Sequence, residues 1–484
     1  MKGKTAFYLL LLTAGALLVH GYHPWTEDAA FYVPPVRKLL DPALYPYASE
    51  FFQSHAALTF FPDLIAGSVR VLHVRLETAL LGWHLLTMYL FLVSCWQVSS
   101  LCFESDAARW CAVALEASLL TLPVAGTSLY LMDEYVNPRS FSTFAGMFAV
   151  ACALKKHYVW AVFCLLAAGL IHPLMPVYGF AFLALLWWNQ SGAVRARTNQ
   201  AVAAALVFGF SLEPPTEAYH QAAAQHAFHY VTQWPWYGWL GILAPIAIFY
   251  WLARFAAAKQ MVNVELLSRS LAALVILSLV AALILDIPRR FEALARLQPL
   301  RSLHLVYALL VLLVGGVAGQ FVLKRSLARW LILFIPLCAG MGYSQYRLFS
   351  ATAHIEWPGV ESRNQWVQAF AWIRRNTPVD AYFALDPYYM DRPGEDEQSF
   401  RAISGRSMLA DMVKDSGAAA MFPPLAEEWW DRMTALKGWS GFQRADLKQL
   451  QRRYGVNWVV VEQPGIAGLT CPYQNPGVQV CRID

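Results

Sequence analysis

The sequence predicts an α-helical polytopic membrane protein with about eleven transmembrane helices and a small extracytoplasmic α/β domain at its C-terminal end. Of the 484 residues, 58% are hydrophobic and only 14% are charged, whereas soluble domains carry about a quarter charged residues. The apolar residues fall in blocks of about 15–25, each long enough to cross ~30 Å of hydrocarbon. The last part of the chain has an ordinary charge density. We therefore predict a transmembrane domain over residues 1–350 and an α/β domain over residues 351–484.

The first apolar block follows the basic start of the chain and extends to Leu18. Because no small-x-small cleavage site follows it, we interpret this block as an uncleaved first helix with its basic end inside. The further predicted spans are apolar blocks at 78–102, 110–131, 140–154, 158–171, 173–189, 199–212, 238–256, 266–286, 303–322 and 329–348.

The stretch 56–74 decides the topology. Its large apolar residues recur at helical spacing, with Asp63, Arg70 and His73 between them, which favours an interfacial helix over a span. An interfacial helix at 56–74 leaves a first outer loop at 20–55 and places most basic loops inside, as the positive-inside rule requires. The sequence thus predicts a cytoplasmic N-terminus and an extracytoplasmic C-terminal domain.

Charge and motifs exclude several classes of function. The net charge of +5 is modest and does not indicate nucleic-acid binding. The sequence contains no Walker loop, Rossmann fingerprint, Ser-centred elbow or HExxH, and no internal repeat of the transporter type. Most of the eight cysteines lie in apolar blocks. Cys471 and Cys481, the two in the tail, are candidates for a disulfide if the tail is outside the cytoplasm.

The first outer loop carries adjacent acids, Glu27 and Asp28, flanked by aromatic residues that include Trp25 and Tyr32. Aromatic side chains hold such a segment at the membrane interface. A carboxylate there is suited to act as a general base on an acceptor hydroxyl or to bind a divalent cation. The alternative is a solvated loop in which Thr26 caps a helix.

A second acidic pair, Asp133 and Glu134, is predicted at the outer end of another helix and is followed by Arg139. Together with Asp28, this pair is a candidate site for a divalent cation, Mg or Mn. Arg139 is suited to neutralise a carboxylate or to contact phosphate. The alternative is a polar turn between two helices. His172, at another outer helix junction, is a further candidate, with a plain helix break as its alternative.

The fourth outer loop is basic, against the general rule for outer loops. Arg289, Arg290 and Arg301 lie at the start of a predicted span, where guanidinium groups and a helix N-terminus suit phosphate oxygens. The loop thus predicts a donor-phosphate site, with interfacial anchoring as the alternative. The third outer loop contains His226 and His229 at helical spacing, but no strong zinc motif, and a solvated amphipathic helix is favoured there.

The tail alternates helix-like and strand-like patterns. The sequence predicts helices at 366–375, 425–436 and 446–454, and strands at 381–385, 458–461 and 478–483. It predicts a solvated acidic loop at Glu395, Asp396 and Glu397.

With these residues in place, the chain resembles the GT-C superfamily of polytopic glycosyltransferases, which use polyprenyl-phosphate-linked sugars. It is most similar to the protein O-mannosyltransferase-like and aminoarabinose-transferase-like branches. The shared plan covers most of the membrane part: a first span, an acidic pair in the first outer loop, a surface helix and a short charged turn after the third span. The tail segments 376–381 and 454–460 look like those of uncharacterised bacterial members. The resemblance thus implies a bacterial inner (cytoplasmic) membrane and a periplasmic tail.

The resemblance also implies roles for single residues. Glu27 and Asp28 match the family's first-loop acidic motif, although relatives often show Asp-Asp or Asp-Glu, which leaves open which carboxylate is the base. The second-loop position is matched by Asp133, Glu134 and Arg139. Arg301 falls where such proteins hold the donor phosphate.

The sequence therefore leads to the hypothesis of an inverting transferase that moves a sugar from a polyprenyl phosphate to a glycan, lipid or protein acceptor on the outer face. The lipid bilayer is an obligatory partner, since the polyprenyl tail cannot leave it. The rival class is a non-enzymatic transporter or an envelope-assembly scaffold. A transporter predicts broken helices and a polar path at mid-membrane, whereas polar residues here concentrate at outer helix ends.

Overall fold

A computed structural model of the chain describes residues 3–190, 216–286, 294 and 296–483. Among these residues, six helices are long and apolar enough to cross a membrane: α1 (Gly3–His20), α5 (Leu76–Cys102), α11 (Trp236–Ala258), α12 (Val262–Asp286), α13 (Pro299–Leu323) and α14 (Leu327–Leu348). The remaining helices of this part are α2 (Ala29–Leu40), α3 (Glu50–Ala56), α4 (Phe61–Leu72), α6 (Asp106–Ser118), α7 (Pro138–Leu154), α8 (Tyr158–Ile171), α9 (Met175–Gln190) and α10 (Glu217–Ala224).

The prediction of a mostly helical polytopic membrane protein is confirmed. The count of eleven spans stays a prediction, because α6, α7, α8 and α9 are shorter than the six long helices. The predicted span 199–212 lies outside the described residues. The predicted interfacial stretch 56–74 contains the end of α3 and all of α4, and α4 buries Phe61 and Ile65 while Val71 and Leu72 are exposed.

One predicted span is wrong in extent. The block 110–131 is helical only as far as Ser118, and its second half is a folded loop in which the N–H of Val124 donates to the carbonyl of Leu129 at 2.8 Å. Pro123 supplies no N–H for a continuing helix, and Gly126 lies so close to the ring of Trp234 that a Cβ would stand 2.5 Å from it. This loop forms one wall of the cavity described below.

The helical bundle has a continuous apolar core, to which Phe91, Phe249 and Leu312 contribute fully buried side chains. The helices α6 and α13 pack closely because α13 carries glycine where they cross. A Cβ at Gly315 or Gly319 would lie 2.9 Å or 2.6 Å from backbone atoms of α6, so small residues are required there.

The tail folds around a mixed five-stranded sheet in the order β2-β1-β3-β5-β4. Its strands are β1 (Tyr382–Ala384), β2 (Ser407–Met408), β3 (Trp458–Glu462), β4 (Thr470–Gln474) and β5 (Val478–Arg482). Strand β1 is parallel to its neighbours β2 and β3, and β5 is antiparallel to both β3 and β4. The helices of the tail are α15 (Gln365–Asn376), α16 (Phe400–Ser404), α17 (Asp415–Met421), α18 (Ala426–Ala435) and α19 (Arg444–Tyr454).

The predicted elements of the tail thus have observed counterparts within a few residues. Cys471 and Cys481, named from the sequence as a candidate pair, are joined by a disulfide between β4 and β5. The prediction of a solvated acidic loop is wrong. Glu395 is fully buried, and its Oε2 accepts a hydrogen bond from the backbone N–H of Gln398 at 2.6 Å. A side chain in this position helps to hold the loop in one conformation.

The tail is hydrogen-bonded directly to the first loop of the membrane part. The N–H of Ser399 donates to the carbonyl of Trp25 at 2.8 Å, and the N–H of Glu27 donates to the carbonyl of Glu397 at 3.0 Å. Farther along the loop, Arg37 Nε donates to the carbonyl of Ala402 at 2.7 Å. These bonds fix the conformation of the segment that carries the first acidic pair.

Candidate functional site

A cavity of about 450 Å³ lies at one end of the helical bundle, between the membrane helices and the tail. Its residues come from the first loop, the turn after α3, the loop after α6, the start of α7, the α8–α9 junction, the segment before α11, the start of α13 and the turn into α17. They are Glu27, Asp28, Phe31, Tyr32, His55, Leu58, Thr59, Pro123, Ala125, Ser128, Leu129, Tyr130, Pro138, Arg139, Ile171, His172, Pro173, Leu174, His226, Phe228, His229, Gln298, Arg301, Val413, Lys414, Gly417 and Met421.

Arg139 joins the two predicted acidic motifs. Its Nη1 lies 2.7 Å from Asp28 Oδ2, and its Nη2 lies 3.0 Å from both carboxylate oxygens of Asp133. The side chain of Arg139 is only 7% exposed, so the ion pairs are shielded from water. Local sequence sets this geometry: Asn137 caps α7, Pro138 begins it, and Arg139 is thereby held in its first turn.

Lys414 is the second cation on the acidic pair, and it comes from the tail. Its Nζ lies 2.9 Å from Glu27 Oε2 and 3.3 Å from Asp28 Oδ1. Lys414 directly precedes α17, and its backbone N–H donates to Asp411 Oδ1 at 2.6 Å. The first residue of α17, Asp415, makes a bidentate ion pair with Arg401, with both distances 2.7 Å. The backbone under Lys414 is therefore fixed by buried polar contacts.

Sequence reasoning missed Lys414. It is followed directly by Asp415 in the chain, and 386 positions separate it from Asp28. No local spacing marks such a residue, because its function depends on how the tail packs against the first loop.

The two carboxylates of the first loop have different environments. Burial alone would raise the pKa of Asp28, but Lys414 and Arg139 outweigh burial and hold that pKa well below its usual range. The pKa of Glu27 is also lowered, because Lys414 outweighs burial there too. Burial and the neighbouring Glu27 raise the pKa of Glu397 to about 8. Glu397 is therefore protonated at neutral pH beside an ionised Glu27.

The backbone at Glu27 is in the left-handed region, with φ of 52°. A residue with a side chain rarely adopts this conformation, and strain of this kind is concentrated at functional sites. Here the hydrogen bonds to Glu397 and the bridge between Thr26 and Gln398 hold it in place. The predicted cap by Thr26 is not formed, since its hydroxyl donates to the carbonyl of His23 instead.

Arg301 differs from the other two cations. It lines the cavity from the first turn of α13, and its Nε is buried without a hydrogen-bond partner. Among the residues that the structure describes, no carboxylate pairs with Arg301. The turn before it is held by Tyr178, whose hydroxyl donates to the carbonyl of Gln298 at 2.9 Å. A guanidinium that lines a cavity without a carboxylate partner is suited to bind a phosphate.

Two other predicted phosphate ligands, Arg289 and Arg290, lie outside the described residues. Arg296, from the same basic cluster, donates to the carbonyl of Met421 at 3.2 Å and does not line the cavity.

Tyr32 and His172 both line the cavity. Burial, followed by the charge of Asp28, raises the pKa of Tyr32 to about 12. His172 Nδ1 also accepts the backbone N–H of Met175 at 3.4 Å, so the helix-break interpretation of this residue holds beside its place in the cavity.

A wall of imidazole and aromatic rings was only partly anticipated. His226 and His229 line the cavity with their ring centroids 5.5 Å apart, and His55 stacks on Phe31 at 4.5 Å. Burial and the charge of Lys414 lower the pKa of His226 to about 4, so this imidazole is neutral. Flat faces of this kind are suited to pack against a sugar ring or an isoprenoid.

Glu134 does not line the cavity, although its sequence position suggested that it would. Its side chain is 3% exposed, and its backbone carbonyl accepts the N–H of His23 at 3.0 Å. Burial, reinforced by Asp133, raises its pKa well above the usual range. The backbone carbonyl of Glu134 thus ties the second acidic loop to the first.

The three predicted metal ligands, Asp28, Asp133 and Glu134, do not surround one point. The guanidinium of Arg139 lies between the first two, and Glu134 faces elsewhere. In the described ranges, no three His, Cys, Asp or Glu side chains are grouped as ligands of a metal ion. These residues do not fit the predicted divalent cation.

Comparison with known proteins finds a remote likeness among solved structures. No family model matches the chain, and no curated protein matches it. Among solved structures, the chain is similar to the archaeal oligosaccharyltransferase AglB from Archaeoglobus fulgidus, which was solved in complex with an inhibitory peptide and a dolichol-phosphate. The identity is 12% and the TM-score 0.46, and the match covers 94% of this chain and 69% of that chain. The likeness is too remote to transfer a function.

Proposed function

We propose that the chain is a glycosyltransferase that moves a sugar from a polyprenyl-phosphate donor to an acceptor at the outer face of a bacterial inner membrane. One observation carries this proposal: a single cavity at the end of the helical bundle holds an ion-paired carboxylate pair and an arginine whose guanidinium lacks a carboxylate partner among the described residues. The carboxylate pair is suited to bind an acceptor hydroxyl, and the arginine is suited to bind the phosphate of a lipid-linked donor.

The positions of the basic loops support the proposed orientation. The cavity lies where α7, α9 and α13 begin and where α8 ends. Basic residues mark the opposite ends of these and neighbouring helices: Lys155, Arg254, Lys259 and Lys324. Because basic loops favour the cytoplasmic side, the cavity and the tail are assigned to the outer side.

The proposed step is an inverting displacement at the anomeric carbon. The acceptor oxygen forms a bond to that carbon while the bond from the carbon to the phosphate oxygen breaks. Asp28 takes the proton of the acceptor hydroxyl, and the polyprenyl phosphate leaves with the electron pair of the broken bond. Arg301 stabilises the charge that develops on this phosphate.

Asp28 is the proposed base because Arg139 orients it. One of its oxygens is fixed by the guanidinium and the other faces Lys414. A base in a fixed orientation is effective only when its proton affinity matches the task. The lowered pKa of Asp28 means that this carboxylate is a weak base while both cations remain in contact with it.

The rival class, a transporter or scaffold, predicts a polar path through the middle of the bundle. The cavity instead lies at helix ends and is covered by the tail. This location favours chemistry on a membrane-anchored donor over passage across the membrane.

The test is donor cleavage by the full chain in lipid nanodiscs, supplied with polyprenyl-phosphate sugars and a membrane extract as acceptor source. We expect release of polyprenyl phosphate, measured by mass spectrometry, to fall at least about a hundredfold in Asp28→Asn. Asp63→Asn is the matched control, since Asp63 is exposed on α4 and should leave release unchanged. Equal release by Asp28→Asn and the wild type would refute the assignment.

A further inference from the structure

Three cationic side chains line the cavity, and their contacts differ in kind. Arg139 is held by two carboxylates, Lys414 by two, and Arg301 by none among the described residues. A phosphate in the cavity therefore has no carboxylate to compete with for Arg301 among the described residues. Whether a second cation is available depends on which of the other two can change partner.

Arg139 is not free to change partner. Its planar fork makes three short bonds to Asp28 and Asp133, of which Asp133 is buried and Asp28 is partly buried. Moving this guanidinium would leave Asp133 buried without its counter-ion, which is costly. Arg139 is therefore a fixed part of the site.

Lys414 is differently built. Its ammonium is a point charge at the end of a flexible four-carbon stem, so it can turn between partners without moving the backbone. The backbone below it is fixed by Asp411 and by the pair of Asp415 with Arg401. Its contact to Glu27 is 2.9 Å, and its contact to Asp28 is a longer 3.3 Å. The Lys414 side chain can thus move its ammonium group within the cavity while its backbone stays fixed.

We propose that Lys414 is an exchangeable counter-ion, which pairs with Glu27 and Asp28 in the empty cavity and turns to the phosphate of the donor when that phosphate binds. This inference rests on the proposed function, since it assumes that a lipid-linked phosphate occupies the cavity. Its consequence is that donor binding removes one of the two cations from Asp28. The carboxylate then becomes a stronger base only when a donor is present.

The groups that face Lys414 permit this exchange. Glu397 carries a proton at neutral pH, because its pKa is raised to about 8, and it remains beside Glu27 when the ammonium turns away. His226 is neutral and adds no positive charge to oppose the movement. Asp28 keeps the bond to Arg139 and is not left as an uncompensated buried charge.

The test is binding of farnesyl phosphate, with uncharged farnesol as the matched ligand, to the full chain in nanodiscs by isothermal titration calorimetry. We expect Lys414→Met to weaken farnesyl phosphate binding roughly tenfold, because one charge-assisted contact is lost. Arg301→Met should weaken it by at least as much. Lys437→Met is the control, since Lys437 is exposed on the same tail and should bind as the wild type does.

An exchangeable Lys414 predicts a further effect on binding that a fixed cation does not. Glu27→Gln removes a carboxylate that competes with the phosphate for Lys414. This variant should therefore bind farnesyl phosphate several-fold more tightly than the wild type. In the Lys414→Met background, the same Glu27→Gln change should strengthen binding by less than about twofold, because only the repulsion by Glu27 is then removed. This non-additivity is the signature of exchange.

The outcomes separate the two proposals. Equal binding of farnesyl phosphate and farnesol by the wild type would overturn the proposed function and this inference with it. Two results would overturn the exchange alone. One is binding of farnesyl phosphate that depends on Arg301 but is unchanged in Lys414→Met. The other is additivity of the effects of Glu27→Gln and Lys414→Met on this binding. If Lys414→Met fails to fold, Glu27→Gln still decides, because binding that is unchanged or weaker in that variant contradicts exchange.

Discussion

Arg139 Nη1 lies 2.7 Å from Asp28 Oδ2, although 111 positions separate the two residues in the chain. The same guanidinium binds Asp133, so one arginine holds the acids of two loops together. The arrangement couples the stability of the protein to the geometry of its proposed active site.

We expect Arg139→Met to lower the free energy of unfolding by about 3 kcal/mol, because the buried Asp133 and the partly buried Asp28 lose their shared counter-ion. Unfolding in a denaturing detergent titration measures this change. Arg254→Met, at an exposed position on α11, is the control and should unfold with the wild type. A wild-type midpoint for Arg139→Met would show that the pair does not stabilise the fold.

Stability should decrease as pH rises because of Glu397. The folded protein holds the Glu397 proton up to a pKa of about 8, whereas the unfolded chain releases it near the ordinary value of 4.5. Between these values the folded state binds more protons, so the stability contributed at low pH is lost as pH rises through the folded pKa. Thermal unfolding at several pH values measures the slope.

The matched variant for this effect is Glu397→Gln. Glutamine keeps a donor beside Glu27 but does not titrate, so the decline in melting temperature between pH 5 and 8 should be shallower than in the wild type. The same slope in both proteins would assign the pH dependence to other groups.

The disulfide between Cys471 and Cys481 should stabilise the tail. Replacing both cysteines with serine is expected to cost about 2–3 kcal/mol, since the bridge closes a short loop in the unfolded chain. Differential scanning calorimetry of the full chain, compared with Cys338→Ser at an unpaired cysteine, measures the loss. No difference between the two variants would mean that the bridge adds nothing to stability.

The proposed orientation predicts the behaviour of fusions at the C-terminus. Alkaline phosphatase is active only outside the bacterial cytoplasm, so a fusion after the tail should be active, while a fusion in the loop at Lys155 should not. Activity of the Lys155 fusion alone would place the cavity on the cytoplasmic side and overturn the proposed donor.

Much of the site could be predicted from the sequence, since Glu27, Asp28, Arg139 and Arg301 stand out as charges at the ends of apolar blocks. A charge beside a membrane helix is costly unless it has a function or a partner. Position in a loop, however, does not fix the direction of a side chain. Glu134 is adjacent to Asp133, yet it faces away from the cavity.

The contribution of the tail could not be predicted. Lys414 and Glu397 reach the first loop through long-range packing of α17 and the segment before α16. Hydropathy also failed at 119–131, where apolar residues line a wall of the cavity instead of a helix surface. In both places burial against protein replaced burial in lipid, and composition alone does not distinguish the two.

The hydrogen bonds between Trp25–Glu27 and the segment 397–399 have a consequence for biosynthesis. Glu27 and Asp28 leave the ribosome hundreds of residues before Lys414 does, so the acids lack this partner through most of translation. The cavity is completed only when the tail has folded onto the first loop. A chain truncated before this segment would therefore insert its helices without a finished cavity.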